Sequence, residues 1–197
     1  SFASAFPNTD SVGASDLTVV SAVASSGAGS LLAQINSQNI NYAAARRSTS
    51  ISGNKALTIE FDIYPESLPT APQRVGIAFV QAVGAGMHYM TYPLFADTTS
   101  LTFFTNRDNT STGTPSSSQA LGVGVWTHVK WVLAMDPTTG TSIRLELTPP
   151  GAASPNVAIN QVLAAATLDQ AESMTIAAGI YKYDISAASP PLKIYFD

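Results

Sequence analysis

The chain reads as short runs of alternating apolar and polar residues, cut apart by Gly, Pro, Asn and Ser, with little helical period. The clearest run is Thr58 to Tyr64, where Ile59, Phe61 and Ile63 face one way and Thr58, Glu60, Asp62 and Tyr64 the other. Pro65, Pro69 and Pro72 close it, because proline has no N–H to give to a ladder. Arg74 to Val83 is apolar on both faces, the pattern of a more central strand. Met87 to Phe95 and Ser100 to Asn106 follow, the second with Leu101, Phe103 and Phe104. Val125 to Met135 holds both tryptophans. Across the turn DPTTG, at Asp136 to Gly140, it meets Ile143 to Leu147, whose Arg144 and Glu146 face outward, so the two predict a hairpin. Met174 to Asp184 and Leu192 to Phe196 are the last strands, and Leu17 to Val23 and Ser30 to Gln34 are weaker ones. Arg107 to Gln119 carries no core residue and reads as a long exposed loop or two short turns. Ala158 to Ala171 is the one place for a short helix.

Short strands in this number, with turns between them and no internal repeat, predict an all-β chain folded as a two-sheet antiparallel sandwich with at most one short helix. No linker divides it, so residues 1–197 are expected to form one domain. A chain of that length buries a sizeable core unaided, and with no cysteine it has neither a disulfide framework nor a thiolate zinc site. Charge narrows the partners. Only 11% of residues are charged, against roughly a quarter in an ordinary soluble domain. Nine basic against thirteen acidic residues give a net charge of -4, which argues against nucleic acid, whose binding needs a basic footprint. No run of about eighteen apolar residues offers a membrane-inserted helix. A charge-poor surface rich in Ser and Thr fits an extracellular or cell-surface setting, with a virion surface left open.

Two segments carry a resemblance. Val123 to Leu147 contains GVWTHVKWVLAMDPTTGTSIRLEL, and Ala56 to Pro69 reads ALTIEFDIYPESLP. With Trp126, His128, Val129 and Gly140 in the matching places, the first resembles the W-x-H-V strand, turn and strand of laminin-G and concanavalin A-like domains; the second resembles an early strand of that superfamily. The implied fold is the concanavalin A-like jelly roll. A narrower resemblance is to the alginate-lyase-like polysaccharide lyases: MTIAAGIYKYD keeps Ala178, Gly179 and Tyr181 of their last inner strand, with Ile180 for a valine. By that pattern Tyr181 is the proton-transfer tyrosine. The family's Gln-Ile-His motif falls on Ile77 and Phe79, which replace its Gln and His, and its arginine motif is echoed by Arg46, Arg47, Ser48 and Thr49. Elimination across a uronic acid needs its carboxylate neutralised and its C5 proton removed, so Tyr181 with Arg47 would be the residues of a lyase.

The residues also stand on their own chemistry. Tyr181 and Tyr183, expected to share a face with Ala177 and Gly179, would leave a shallow groove for a sugar ring, since pyranose C–H faces stack on aromatics. His88 and Tyr92 alternate on one face of their strand and could line that groove. Arg46 and Arg47 are the only adjacent basic pair, able to clamp an acidic sugar. Glu60, Asp62 and Glu66 are spaced like a glycosidase's carboxylates but read better as a solvated polar face. His128 reads as a packing and hydrogen-bonding residue. Two distant histidines make a transition-metal site improbable, and no cofactor is implied. Calcium stays open, with oxygen donors at Asn106, Asp108 and Asn109 and at Asp169 and Glu172. There is no G-x-S-x-G, P-loop or G-x-G-x-x-G. The expectation is an extracellular carbohydrate-binding or adhesion domain whose partner is a polysaccharide or glycoconjugate. The alternatives are a divergent polysaccharide lyase or a self-assembling structural protein.

Overall fold

Among the described residues every regular element is a strand. The computed structural model describes residues 8–12, 15–21, 23–35, 42–50, 56–69, 74–84, 87–96, 100–107, 110–113, 116–117, 121–136, 140–162, 173–184 and 192–197. The strands β1 (Asn8–Val12), β2 (Ser15–Val20), β3 (Ser30–Ile35), β4 (Tyr42–Ser50) and β5 (Ala56–Pro65) lead to the long pair β6 (Arg74–Gly84) and β7 (Met87–Ala96). Then come β8 (Ser100–Arg107), the short β9 (Thr110–Gly113) and β10 (Ser116–Ser117), and the hairpin of β11 (Thr127–Asp136) and β12 (Gly140–Thr148). They are followed by β13 (Asn156–Val162), β14 (Ser173–Asp184) and β15 (Leu192–Phe196).

Two antiparallel sheets result, a jelly-roll sandwich. Sheet A runs β1-β4-β14-β6-β7-β8-β10, with β9 also on β8, and sheet B runs β13-β12-β11-β5-β15-β3-β2. The alternation of Thr58 to Tyr64 becomes the burial pattern of β5, where Ile59, Phe61 and Ile63 enter the core. Phe61 meets the ring of Phe196 at 5.8 Å between centroids. Val129, Trp131 and Leu133 of β11 and Ile143, Leu145 and Leu147 of β12 complete sheet B's inner face. Sheet A answers with smaller side chains, Ala43 and Ala45 of β4, Ile77 and Val80 of β6, and Met174, Ala178 and Ile180 of β14. Side chains from the two inner faces meet in one core between the layers.

Three segments differ from their sequence pattern. The start of the expected helix is strand β13, paired with β12 from Asn156↔Leu147 to Ser142↔Val162, because cross-strand pairing outweighs local propensity there. The rest of Ala158 to Ala171 lies outside the described residues. The polar stretch after Arg107 is partly β9 and β10, both folded back on β8. Val125 and Trp126 precede β11 in a turn, where Gly124 (φ +73°) donates its N–H to the Pro65 carbonyl at 2.9 Å.

Candidate functional site

The outer face of sheet A is built around β4 and β14. Ala43 and Ala45 point into the core, so Ala44, Arg46 and Ser48 lie on the opposite face. Register places Arg46 between Asn8 of β1 and Ala177 of β14, and Ala177 opposite Phe79 of β6. The next row is Ser48, Thr175 and Gln81, continued by Met90 of β7 and Asn106 of β8. Within it the Ser48 and Thr175 hydroxyls share a 2.8 Å hydrogen bond, which fixes them on one face. Ala44 and Ala177 also lie on this face, but at 1% exposure each they are covered by their neighbours.

Two irregularities interrupt this face between β14 and β6. Register shifts between Ala177 and Ile180, where Gly179 (φ +134°) stands near Ala78, a non-glycine residue at φ +56°. It shifts again between Ile180 and Lys182, so Tyr181 is the extra residue of a bulge. A bulge re-aims the residue it inserts and resets the alternation after it. Ala178 and Ile180 both enter the core, so alternation along β14 holds through Gly179, and the even spacing expected to hold Tyr181 and Tyr183 beside Ala177 and Gly179 is broken at the Tyr181 bulge. Tyr183 is registered opposite Val75, a core residue. On β7, Thr91 is opposite the core residue Val80, which leaves His88, Met90 and Tyr92 at the alternate positions with Gln81. The side chains of His88, Tyr92, Tyr181 and Tyr183 lie outside the described residues.

Arg46 and Arg47 are not side by side on one face. Adjacent strand residues point to opposite faces. Arg46 is half-buried on the outer face of sheet A, and Arg47 is exposed beside Ile176, which packs on the core side. Gln81, in line with Thr175 and Ser48, was not singled out from the sequence. Only the β6–β14 register brings it there.

The outer face of sheet B gathers the carboxylates. Lys130 Nζ binds Glu60 at 2.7 Å, and Arg144 Nε binds Glu146 at 2.6 Å. Hydrogen bonding to Lys130, then its charge, holds the Glu60 carboxyl below the usual range, and Lys130 is raised in return. Asp62 lies 2.8 Å from His128 Nδ1 and accepts the Ser25 hydroxyl at 2.6 Å. Glu66 sits 3.7 Å from Lys193. Glu60 and Asp62 thus share a face, as alternation requires, but each is engaged by its own neighbour, the arrangement of a solvated polar surface. His128 is a hydrogen-bonding residue at an exposed position, held across the strands by Asp62. Among the described residues no three His, Cys, Asp or Glu side chains are grouped to hold a metal ion. Asp108, Asn109, Asp169 and Glu172 lie outside the described residues. Among the described residues no helix is long and apolar enough to cross a membrane.

Tyr195, on the same face, donates its hydroxyl to Glu66 at 3.1 Å. Burial first, then that bond and the Glu66 charge, push the phenol above its ordinary range. The folded state therefore resists ionisation at Tyr195. The stability this confers is complete below the unfolded phenol's value of about 10 and is lost as pH rises through the folded one. Urea midpoints measured across that window should fall, and Tyr195→Phe should flatten the fall.

No protein-family model matches the chain, and no curated protein matches it in sequence. Solved structures do match in fold. An endo-β-1,4-glucuronan lyase from the fungus Trichoderma reesei superposes with a TM-score of 0.75 at 12% identity, covering 98% of this chain and 88% of its own. A PL-14 alginate lyase from the mollusc Aplysia kurodai gives 0.60 at 10% identity, over 92% and 84%. Cip1, a cellulose-induced protein, gives 0.59 at 13%, over 97% and 89%. At such identities the likeness is one of fold. The chain shares its two-sheet jelly-roll fold with these three proteins.

Proposed function

We propose that this domain recognises an acidic polysaccharide across the outer face of sheet A, and that it does so outside the cell. The observation that carries the reading is the placement of Arg46, a cation in a chain with few charges, on the outer face of sheet A and one row from the Ser48–Thr175 hydroxyls. A guanidinium neutralises a uronate carboxylate, and hydroxyls meet those of the sugar. Fold likeness to lyases of glucuronan and alginate supports the substrate class, and the charge-poor, hydroxyl-rich composition supports the setting. Calorimetric titration with polyglucuronate and alginate should detect binding. Arg46→Ala should weaken it about tenfold, or ~1.4 kcal/mol, with Arg46→Lys in between. Equal affinity of Arg46→Ala and the parent would overturn the site.

A second reading adds chemistry to the same face. Tyr181 is the residue that the bulge inserts into β14, the strand that carries Thr175. As a phenolate it would take the C5 proton of a uronic residue. The electron pair left behind forms the C4=C5 double bond as the C4–O bond breaks, and the proton passes to the leaving glycosidic oxygen. Each cleavage adds an ultraviolet-absorbing unsaturated end. A rise in absorbance that Tyr181→Phe abolishes while binding persists would establish a lyase; binding without any rise would leave a recognition domain.

A further inference from the structure

The face of the sandwich opposite the proposed site carries an aromatic row of its own. Tyr195 of β15 is registered with Tyr64 of β5 on one side and Leu32 of β3 on the other, and Trp126 abuts Tyr64 from the turn before β11. Ring centroids are 5.5 Å apart for Tyr64–Trp126 and 5.9 Å for Tyr64–Tyr195. None of these three belongs to the hydrophobic core that fills the sandwich. Tyr195 is the floor at 9% exposure, Tyr64 and Trp126 are half-buried, and Val123 and Val125 of the same turn are 43% and 39% exposed. The planes meet at 51° and 75°, so the rings present angled faces rather than a flat sheet.

The rim has its own chemistry. Glu66 accepts from the Tyr195 hydroxyl and stands beside Lys193 on one flank. On the other flank lie Asp62 with His128 and Ser25, and Asp197, whose carboxylate accepts the N–H groups of Ser25 and Ser26 at 3.0 and 2.7 Å. Along this face Glu60, Asp62, Glu66, Glu146 and Asp197 outnumber Lys130, Arg144 and Lys193. Carboxylates repel a uronate chain but accept hydrogen bonds from hydroxyl groups. Apolar ring faces fit the C–H faces of a pyranose.

We infer that the Trp126–Tyr64–Tyr195 row, rimmed by Glu66 and Asp62, is a second glycan-binding site, selective for a neutral, hydroxyl-bearing polysaccharide. It is separate from the sheet A face in position and opposite to it in charge preference. A single twisted soluble chain suits the angled rings; a crystalline surface, which needs coplanar ones, does not. The Gly122–Trp126 turn holds Trp126 in place, since Gly124 is bonded to Pro65 and lies over the Tyr64 hydroxyl.

Affinity gel electrophoresis tests this with hydroxyethyl cellulose and a mixed-linkage β-glucan as the neutral probes and polyglucuronate as the acidic one. The parent protein should be retarded by at least one neutral glycan. Trp126→Ala should reduce that retardation at least tenfold and Trp126→Phe should keep most of it. Glu66→Ala, at a 49% exposed rim side chain, should reduce it severalfold even if Trp126→Ala folds poorly. Arg46→Ala should leave neutral binding unchanged, and Trp126→Ala should leave polyglucuronate binding unchanged. Free migration of the parent in every neutral glycan, or retardation of both Trp126→Ala and Glu66→Ala equal to the parent's, would overturn the second site.

Discussion

Gly179→Ala is expected to destabilise the domain by about 4 kcal/mol, the sum of two costs of a few kcal/mol each. The first is conformational: φ is +134° at this residue, a region that a side chain rarely adopts. The second is steric. A Cβ there would stand 2.3 Å from the Ala43 carbonyl oxygen and 2.6 Å from the Ala44 Cα, both of them backbone atoms that no rotamer change can remove. In a domain of this size that loss lowers the thermal midpoint by about 8–16 °C. Relief requires β4 to move away from β14, and Arg46 moves with it. Polyuronate affinity should therefore fall in whatever fraction stays folded. Thermal unfolding followed by circular dichroism checks the first effect. A midpoint within two or three degrees of the parent would mean that the strands are not packed this closely.

The second large effect is Trp131→Ala, expected to cost about 3–5 kcal/mol. Trp131 is 1% exposed at the centre of sheet B, registered between Ile59 of β5 and Leu145 of β12. Its removal empties a large volume that the rigid ladders on either side cannot refill. Domains are stable by only about 5–15 kcal/mol in all, so the variant should be near its limit at ambient temperature. The urea midpoint should drop sharply with the slope nearly unchanged. The chain's other tryptophan gives the contrast. Trp126→Ala removes a half-buried ring outside the core and should unfold close to the parent, so similar losses from the two substitutions would refute this division of roles.

Where the sequence was legible, one face was buried and the other wet. Thr58 to Tyr64 and Ile143 to Leu147 announce their strands because alternation there separates core from solvent. Pairing across the sheet left no such trace. The contact of Asp62 with His128 depends on register between β5 and β11, and the row of Gln81 with Thr175 depends on register between β6 and β14. β14 misleads most, since the Tyr181 bulge resets the alternation that the spacing of Ala177 to Tyr183 suggests. A bulge is one extra residue, and nothing in AAGIYKYD marks which residue that is. The adjacent arginines were visible as a pair in the sequence, but strand geometry separates them.

The sheet order has a kinetic side. β14 lies between β4 and β6, and β15 lies between β5 and β3, so residues 173–184 and 192–196 each fill an interior slot of a sheet whose other strands come earlier in the chain. Until they arrive, four interior edges offer open hydrogen-bond ladders, and contacts this distant in sequence form slowly. A ribosome must deliver the chain through residue 184 before sheet A can close, and through residue 196 before sheet B can. Refolding should accordingly be slow, and truncation before residue 173 should leave a chain with open sheet edges that is prone to aggregate rather than a smaller stable domain.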